Sequence, residues 1–263
     1  MSSLYDIIAF ENLLAFLLVL FRVLGVFLAA PILGNRAIPP MFTICFSLAL
    51  SFLILPVISL PEVSNAASDL MILQLVVQEV TIGVMIGFVA AAIFAAVQAA
   101  GELFGIKLGF AMATIVDPST QGSASILGSF YVILGGLIFL YLNGHHAILL
   151  ATVKSFQLLP LGEGFEMLSG GIFVDFVVKL VVVAIQISAP VVIVLTLLAL
   201  IFGFITKMSP QMNIYFNVGF ILGPLLGLTT IILTLPLFRM LMVTLTTEFE
   251  SDLVQLLTAL KGA

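Results

Sequence analysis

Residues 101–118 read GELFGIKLGFAMATIVDP. Gly101, Gly105 and Gly109 recur every four residues, so on a helix they share one flat seam that a second backbone can approach closely. Glu102 and Lys107 set opposite charges into otherwise apolar sequence, five residues apart and therefore off a common helix face. Asp117-Pro118 closes the run, because a proline ring steers the residue before it away from helical backbone. Seam, charges and breaker in so short a span point to a moving or gating part of a membrane chain.

The remainder of the 263 residues fixes that setting. The chain is 62% hydrophobic and 8% charged, with mean hydropathy +1.35, whereas a soluble domain carries about 25% charged residues. A soluble fold of this length cannot hide so much apolar surface, so the bilayer takes up part of it. A net charge of -5 built from few groups argues against nucleic acid, which requires basic clusters. Cys45 is the single cysteine, which rules out an internal disulfide and a cysteine-rich metal site. Asp6 and Glu11 stand where the basic region of a cleavable signal would lie, so residues 1–12 are expected to be retained.

Apolar runs fall at 13–33, 41–60, 70–100, 103–116, 126–142, 145–159, 172–206 and 212–247. A span needs about 20 apolar residues, and these runs resolve into about six spans only with poor fits in length. Gln78 and Glu79 interrupt one run, and Pro190 near the middle of 172–206 predicts a kinked helix or a tight hairpin. The alternative is helical hairpins packed on partner subunits, which need not cross lipid individually. Breaks are expected at 34–40, at 61–69 with Ser68 or Asp69 as N-cap, at 118–125, at Asn143-Gly144, at 160–171 and at 206–210. No linker divides the chain, so residues 1–263 read as a single domain, all-α and polytopic. Eight basic residues without a consistent alternation give no orientation.

Small residues add two further ladders: Gly83, Gly87, Ala91, Ala95 and Ala99, then Gly219, Gly223 and Gly227. A four-residue repeat exceeds the helical period, so each seam drifts around its helix and favours right-handed crossings. Two readings stand, packing within one chain or packing against neighbouring subunits. Arg22, Glu79, Glu102, Lys107, Asp175, Lys179 and Arg239 lie inside apolar runs and need partners, water or headgroups. Asp175 and Lys179 have the spacing of an intrahelical pair; Glu102 and Lys107 are candidate intersubunit charges. His145 and His146 have no cysteine or carboxylate at metal-ligand spacing. Serines lack a base, and no phosphate-binding loop occurs. The chain reads as no enzyme, with no cofactor and no metal.

Four blocks carry a family resemblance: RVLGVFLAAPILGNRAIP (22–39), AGELFGIKLGFAMATIVDP (100–118), LNGHHAILLATVKSFQLLPLG (142–162) and MSPQMNIYFNVGF (208–220). In this order they resemble the flagellar type III secretion export-gate subunit R family (FliR), over nearly the whole chain. Injectisome counterparts carry a more polar, arginine-containing glycine stretch, so the flagellar branch is the nearer. One departure is local: Tyr215-Phe216-Asn217-Val218 runs one residue longer than the family's aromatic step, and Ile221 replaces a proline, with Pro224 displaced downstream.

The resemblance implies a subunit that joins the P and Q gate proteins, with the B export-switch subunit alongside, around a conduit for unfolded exported proteins. It implies a bacterial inner-membrane location at the flagellar basal body, in contact with lipid. It also implies a plug over residues 108–119, with Leu108, Gly109, Phe110, Met112, Ile115, Asp117 and Pro118 in the gating stretch. Glycine freedom and a deformable Met112 suit a gasket that yields and closes again. The rival class is a secondary transporter of a small solute, for which the ladders would be discontinuous helices, although no midplane charge cluster is evident. A membrane-embedded hydrolase lacks any nucleophile–base pair.

Overall fold

The computed structural model describes residues 10–31, 34, 38–58, 69–109, 126–162, 170–208 and 219–260. Among them every regular element is helical: α1 (Phe10–Ala29), α2 (Pro40–Ile54) continued by a 3-10 turn (Leu55–Val57), α3 (Asp69–Lys107), α4 (Ile126–Tyr141), α5 (Gly144–Leu158), α6 (Gly170–Met208) and α7 (Phe220–Leu260). Among the described residues, four stretches are long and apolar enough to cross a membrane: Pro40–Val57, Leu70–Lys107, Val174–Met208 and Ile221–Thr258. The chain is an all-α polytopic membrane protein.

Three helices run further than the apolar pattern suggests. α3 passes through Gln78 and Glu79 without a break, because Glu79 is neutralised by a distant partner. α6 continues through Pro190, so of the kinked helix and the hairpin, the hairpin is excluded. α7 contains Pro224 and Pro236 and extends past residue 247 to Leu260. Its last turns are amphipathic, burying Phe249, Leu253, Leu256 and Leu257 at helical spacing. The break at Asn143-Gly144 stands: Asn143 adopts a left-handed backbone (φ 57), which asparagine tolerates better than most residues. Its carbonyl accepts the N–H groups of His146 and Ala147, opening α5.

The chain divides into two compact units. The first comprises residues up to Ala92, Asn143–Asp175 and the residues from Thr246 onward. Its core joins Leu14, Leu18, Val23 and Phe27 of α1 to Ile54, Leu75, Phe156 and Leu161. The second comprises Ile93–Leu142 and Phe176–Leu245. An aromatic chain holds it: Phe94 meets Phe139 edge-on, and Tyr131 meets both Phe104 and Phe238 with ring centroids 4.8 and 5.0 Å apart. The Tyr131 hydroxyl is hydrogen-bonded with the Thr234 side chain.

Candidate gating hinge and helix seams

α3 ends at Lys107 rather than running on to Asp117-Pro118. The cause is Gly109, whose backbone is left-handed at φ +85, the conformation in which helices commonly terminate. The Leu108 N–H still donates to the Phe104 carbonyl at 2.9 Å, while the Gly109 N–H tightens to Ile106 at 3.2 Å. Gly109 therefore lies just past the helix end, and the seam of three glycines reduces to Gly101 and Gly105. Lys107 occupies the last turn, where a cation complements the carbonyl end of the helix dipole.

Leu108 is buried, and its side-chain tip fills the space that a side chain at Gly227 would need. Leu195 of α6 lines the same space. The residue before the left-handed glycine is thus seated on α7, while Gly109 is exposed with nothing within 4 Å of a built Cβ. Phe110, Met112, Ile115, Asp117 and Pro118 lie outside the described residues.

Gly83 and Gly87 face α1 of the same chain. A Cβ at Gly87 would lie 2.6 Å from the Val26 carbonyl, and one at Gly83 would collide with the Arg22 carbonyl. The contact is reciprocal, since a Cβ at Gly25 would lie 2.7 Å from the Val80 carbonyl. Residue pairs 22–83 and 26–87 advance together, so α1 and α3 are parallel and in backbone contact. Ala91 is half-buried and Ala95 and Ala99 are exposed, as the drift of a four-residue repeat requires. Further along, Gly101 meets Gly128 of α4, where a Cβ would come within 2.6 Å of the opposing Cα. Gly105 is buried, Gly219 half-buried, and Gly223 has nothing within 4 Å.

At the head of the α1–α3 contact lies a charge cluster that the linear sequence leaves as two separate charges. Arg22 is 0% and Glu79 2% exposed. The Arg22 Nε donates to Glu79 at 2.5 Å, Nη1 to the Ser155 hydroxyl at 3.1 Å, and Nη2 to the Leu159 carbonyl at 3.0 Å. The guanidinium lies 4.1 Å from the centroid of the Phe156 ring, and Glu79 also accepts from the Gly162 backbone. Ser155, Phe156 and Leu159 lie within the block 142–162, but nothing in their spacing points to the charge pair. The readable signal is a charge followed by glycine on each partner helix: Arg22 with Gly25, Glu79 with Gly83.

The other charges are superficial. Glu102 is half-buried and accepts from Gln98 at 3.0 Å, and Lys107 is exposed. Asp175 and Arg239 are exposed and Lys179 half-buried. Lys154 and Glu250 pair across α5 and α7, each about half exposed. The His145 and His146 rings stand 4.3 Å apart, and no group of three metal-ligating side chains occurs among the described residues.

The chain matches the family described as bacterial export proteins, family 1, over residues 13–249. Among curated proteins it is similar to the flagellar biosynthetic protein FliR of Escherichia coli (strain K12), 30% identical over 221 residues, 83% of each chain. The protein of the same name from Bacillus subtilis (strain 168) is 29% identical over 205 residues, covering 76% of this chain and 78% of the relative. That of Aquifex aeolicus (strain VF5) is 28% identical over 234 residues, covering 88% and 89%.

Proposed function

Because the chain belongs to the bacterial export proteins of family 1, we propose that it is a structural and gating subunit of the flagellar type III protein-export channel. It works in the bacterial inner membrane at the flagellar basal body, as one part of a hetero-oligomer with the P and Q gate subunits and the B export-switch subunit. Its cargo is unfolded exported protein. The whole chain acts as a single export-gate domain, and the segment beginning at Leu108 plugs the constriction.

One observation carries the plug reading: a 39-residue helix ends in a buried anchor, Leu108, followed at once by an exposed left-handed glycine. A plug must be held at its base and free to swing beyond it. Leu108 on Gly227 supplies the fixed base, and Gly109 supplies the turn that only glycine takes without strain. Contact with neighbouring subunits then falls to Gly219 and to Gly223, where a Cβ would meet nothing within 4 Å of the chain's own atoms, with Glu102 and Lys107 near the end of α3. Gly83, Gly87 and Gly101 serve the chain's own packing.

The test is to shrink Phe110, Met112 and Ile115 together to alanine and follow ion leakage beside complex recovery. A hydrophobic constriction holds back water and ions by packing and dewetting, so the triple variant should leak while the complex assembles at normal yield. A tight membrane combined with reduced yield would show ordinary buried packing and overturn the plug. Pro118→Ala should alter gating separately, by removing a helix breaker.

A further inference from the structure

We propose that α7 is a jointed helix. Its first turns, residues 220–229, form an arm that swings about residues 230–236, and the arm carries the seat of Leu108. The element that holds the base of the plug at rest thereby withdraws from it when it swings. The mechanics stand on the helix itself, and only the consequence rests on the plug reading above.

Hydrogen bonding along the helix locates the joint. A proline has no N–H and its ring crowds the preceding turn, so Pro224 and Pro236 each delete one rung of the helical ladder, to the Phe220 and Ile232 carbonyls. Between the prolines, threonine hydroxyls load further carbonyls. Thr229 donates to Leu225 at 2.8 Å and Thr230 to Leu226 at 2.7 Å. Thr234 donates to both Thr230 and Ile231, at 2.9 and 3.0 Å. A carbonyl shared with a hydroxyl holds its backbone partner less tightly, and such back-bonding bends helices. The carbonyls of Thr230, Ile231 and Ile232 are consecutive: the first two are shared and the third has lost its rung. By contrast, α3 has 39 residues, no proline, and Thr81 as its only hydroxyl side chain. Its Gly83, Gly87 and Gly101 are closed by α1 and α4.

Packing separates the arm from its base. From Ile221 to Ile231 only Gly227 and Ile231 are buried, and what covers Gly227 is chiefly the Leu108 tip. Past the joint, Phe238 meets Tyr131 edge-on with ring centroids 5.0 Å apart. Phe238 and Met242 both come within 3.6 Å of a Cβ built at Gly135 of α4. Thr234 is itself tied to the Tyr131 hydroxyl. Segments with few buried contacts open at lower free energy than packed ones, so the helix yields on the arm side. At helical rise Ile221 lies about 16 Å from Ile232. A swing of about 20°, the size of a helix kink, carries Ile221 about 6 Å and Gly227 about 3 Å, which lifts the seat off Leu108.

The joint is tested in the assembled complex in nanodiscs, in a Cys45→Ser background with partner cysteines replaced. Paired nitroxides report distances from a fixed point on α4, Ser129→Cys, to the arm at Ile221→Cys and to the base at Met240→Cys. All three sites are exposed. The arm distance should spread about 6 Å more widely than the base distance. Restoring the ladder with Thr229→Val, Thr230→Val and Pro236→Ala should narrow the arm to the spread of the base. An arm as narrow as the base before stiffening, or one that stays broad after it, overturns the joint. The first comparison needs no stiffening substitution, so it decides even where the stiffened complex is not recovered. Export of a flagellar substrate scores the gating reading separately, and it should drop several-fold in the stiffened complex. Full export with the arm narrowed would leave the joint standing and sink the plug reading.

Discussion

Arg22 and Glu79 stand 57 residues apart in sequence and 2.5 Å apart in space, with no water-accessible surface on the arginine. The guanidinium spends its donors on three elements: the α3 carboxylate, an α5 hydroxyl, and the carbonyl of Leu159. Removing one member leaves the other charged and dry, which costs about 3–5 kcal/mol. Arg22→Ala or Glu79→Ala should therefore lower the thermal stability of the purified complex sharply. Arg22→Met with Glu79→Leu should recover most of the loss. Equal damage in the double and single variants would show that the two do not act as a unit.

Gly87 and Gly223 should separate packing within the chain from packing between chains. At Gly87 even alanine meets the Val26 carbonyl at 2.6 Å, so α1 and α3 must part, at about 1–3 kcal/mol or more. Gly87→Ala should reduce the amount of chain in membranes whether or not partners are co-expressed. A Cβ at Gly223 would meet nothing within 4 Å, so Gly223→Leu should leave that amount unchanged while reducing complex recovery. Recovery at wild-type level would remove Gly223 from the interface.

Gly109 is a backbone requirement rather than a space requirement, because a built Cβ there touches nothing. An ordinary residue in the left-handed region costs about 1–2 kcal/mol, and asparagine costs less. Gly109→Asn should preserve export and Gly109→Val should impair it, both with complex intact. Secretion of a flagellar substrate into the medium is the readout. Equal export in both variants would mean that the turn is not needed.

Leu108 and Gly227 form a knob and its seat. Leu108→Ala empties a buried site, at about 2–5 kcal/mol, and Gly227→Ala pushes the leucine tip out. Each should loosen the hinge base and raise ion leakage. Together they are complementary in volume, so Leu108→Ala with Gly227→Ala should leak less than either alone. Additive leakage would argue that the two positions are independent.

Local signals proved sufficient where chain chemistry is local. The α4–α5 break was readable because asparagine before glycine has its own preference for left-handed backbone, and Asn143 adopts it. Glu79 looks like an interruption in the linear sequence because its neutralising partner, Arg22, lies 57 residues away and outside any local window. Pro190 did not settle whether 172–206 was one helix or a hairpin, since proline in long membrane helices is tolerated when neighbours satisfy the freed carbonyl. The end of α7 is silent in hydropathy because apolar runs stop where a helix turns amphipathic, yet Phe249, Leu253 and Leu256 keep helical spacing. The glycine ladders announced close contact without naming the partner. The choice between α1 and a neighbouring subunit depends on tertiary structure, and at Gly83 the contact is the Arg22 carbonyl.

The first compact unit draws on residues up to Ala92, on Asn143–Asp175 and on the residues from Thr246. During translation it must wait, part-built, while the ribosome makes Phe176–Leu245, several seconds at roughly 5–20 residues per second. A message cut short anywhere in that interval yields a chain without Phe249, Leu253 and Leu257, whose burial belongs to this unit. The apolar surface that these side chains cover stays bare in such a chain. The first unit is therefore completed only by the stretch made last, from Thr246 onward.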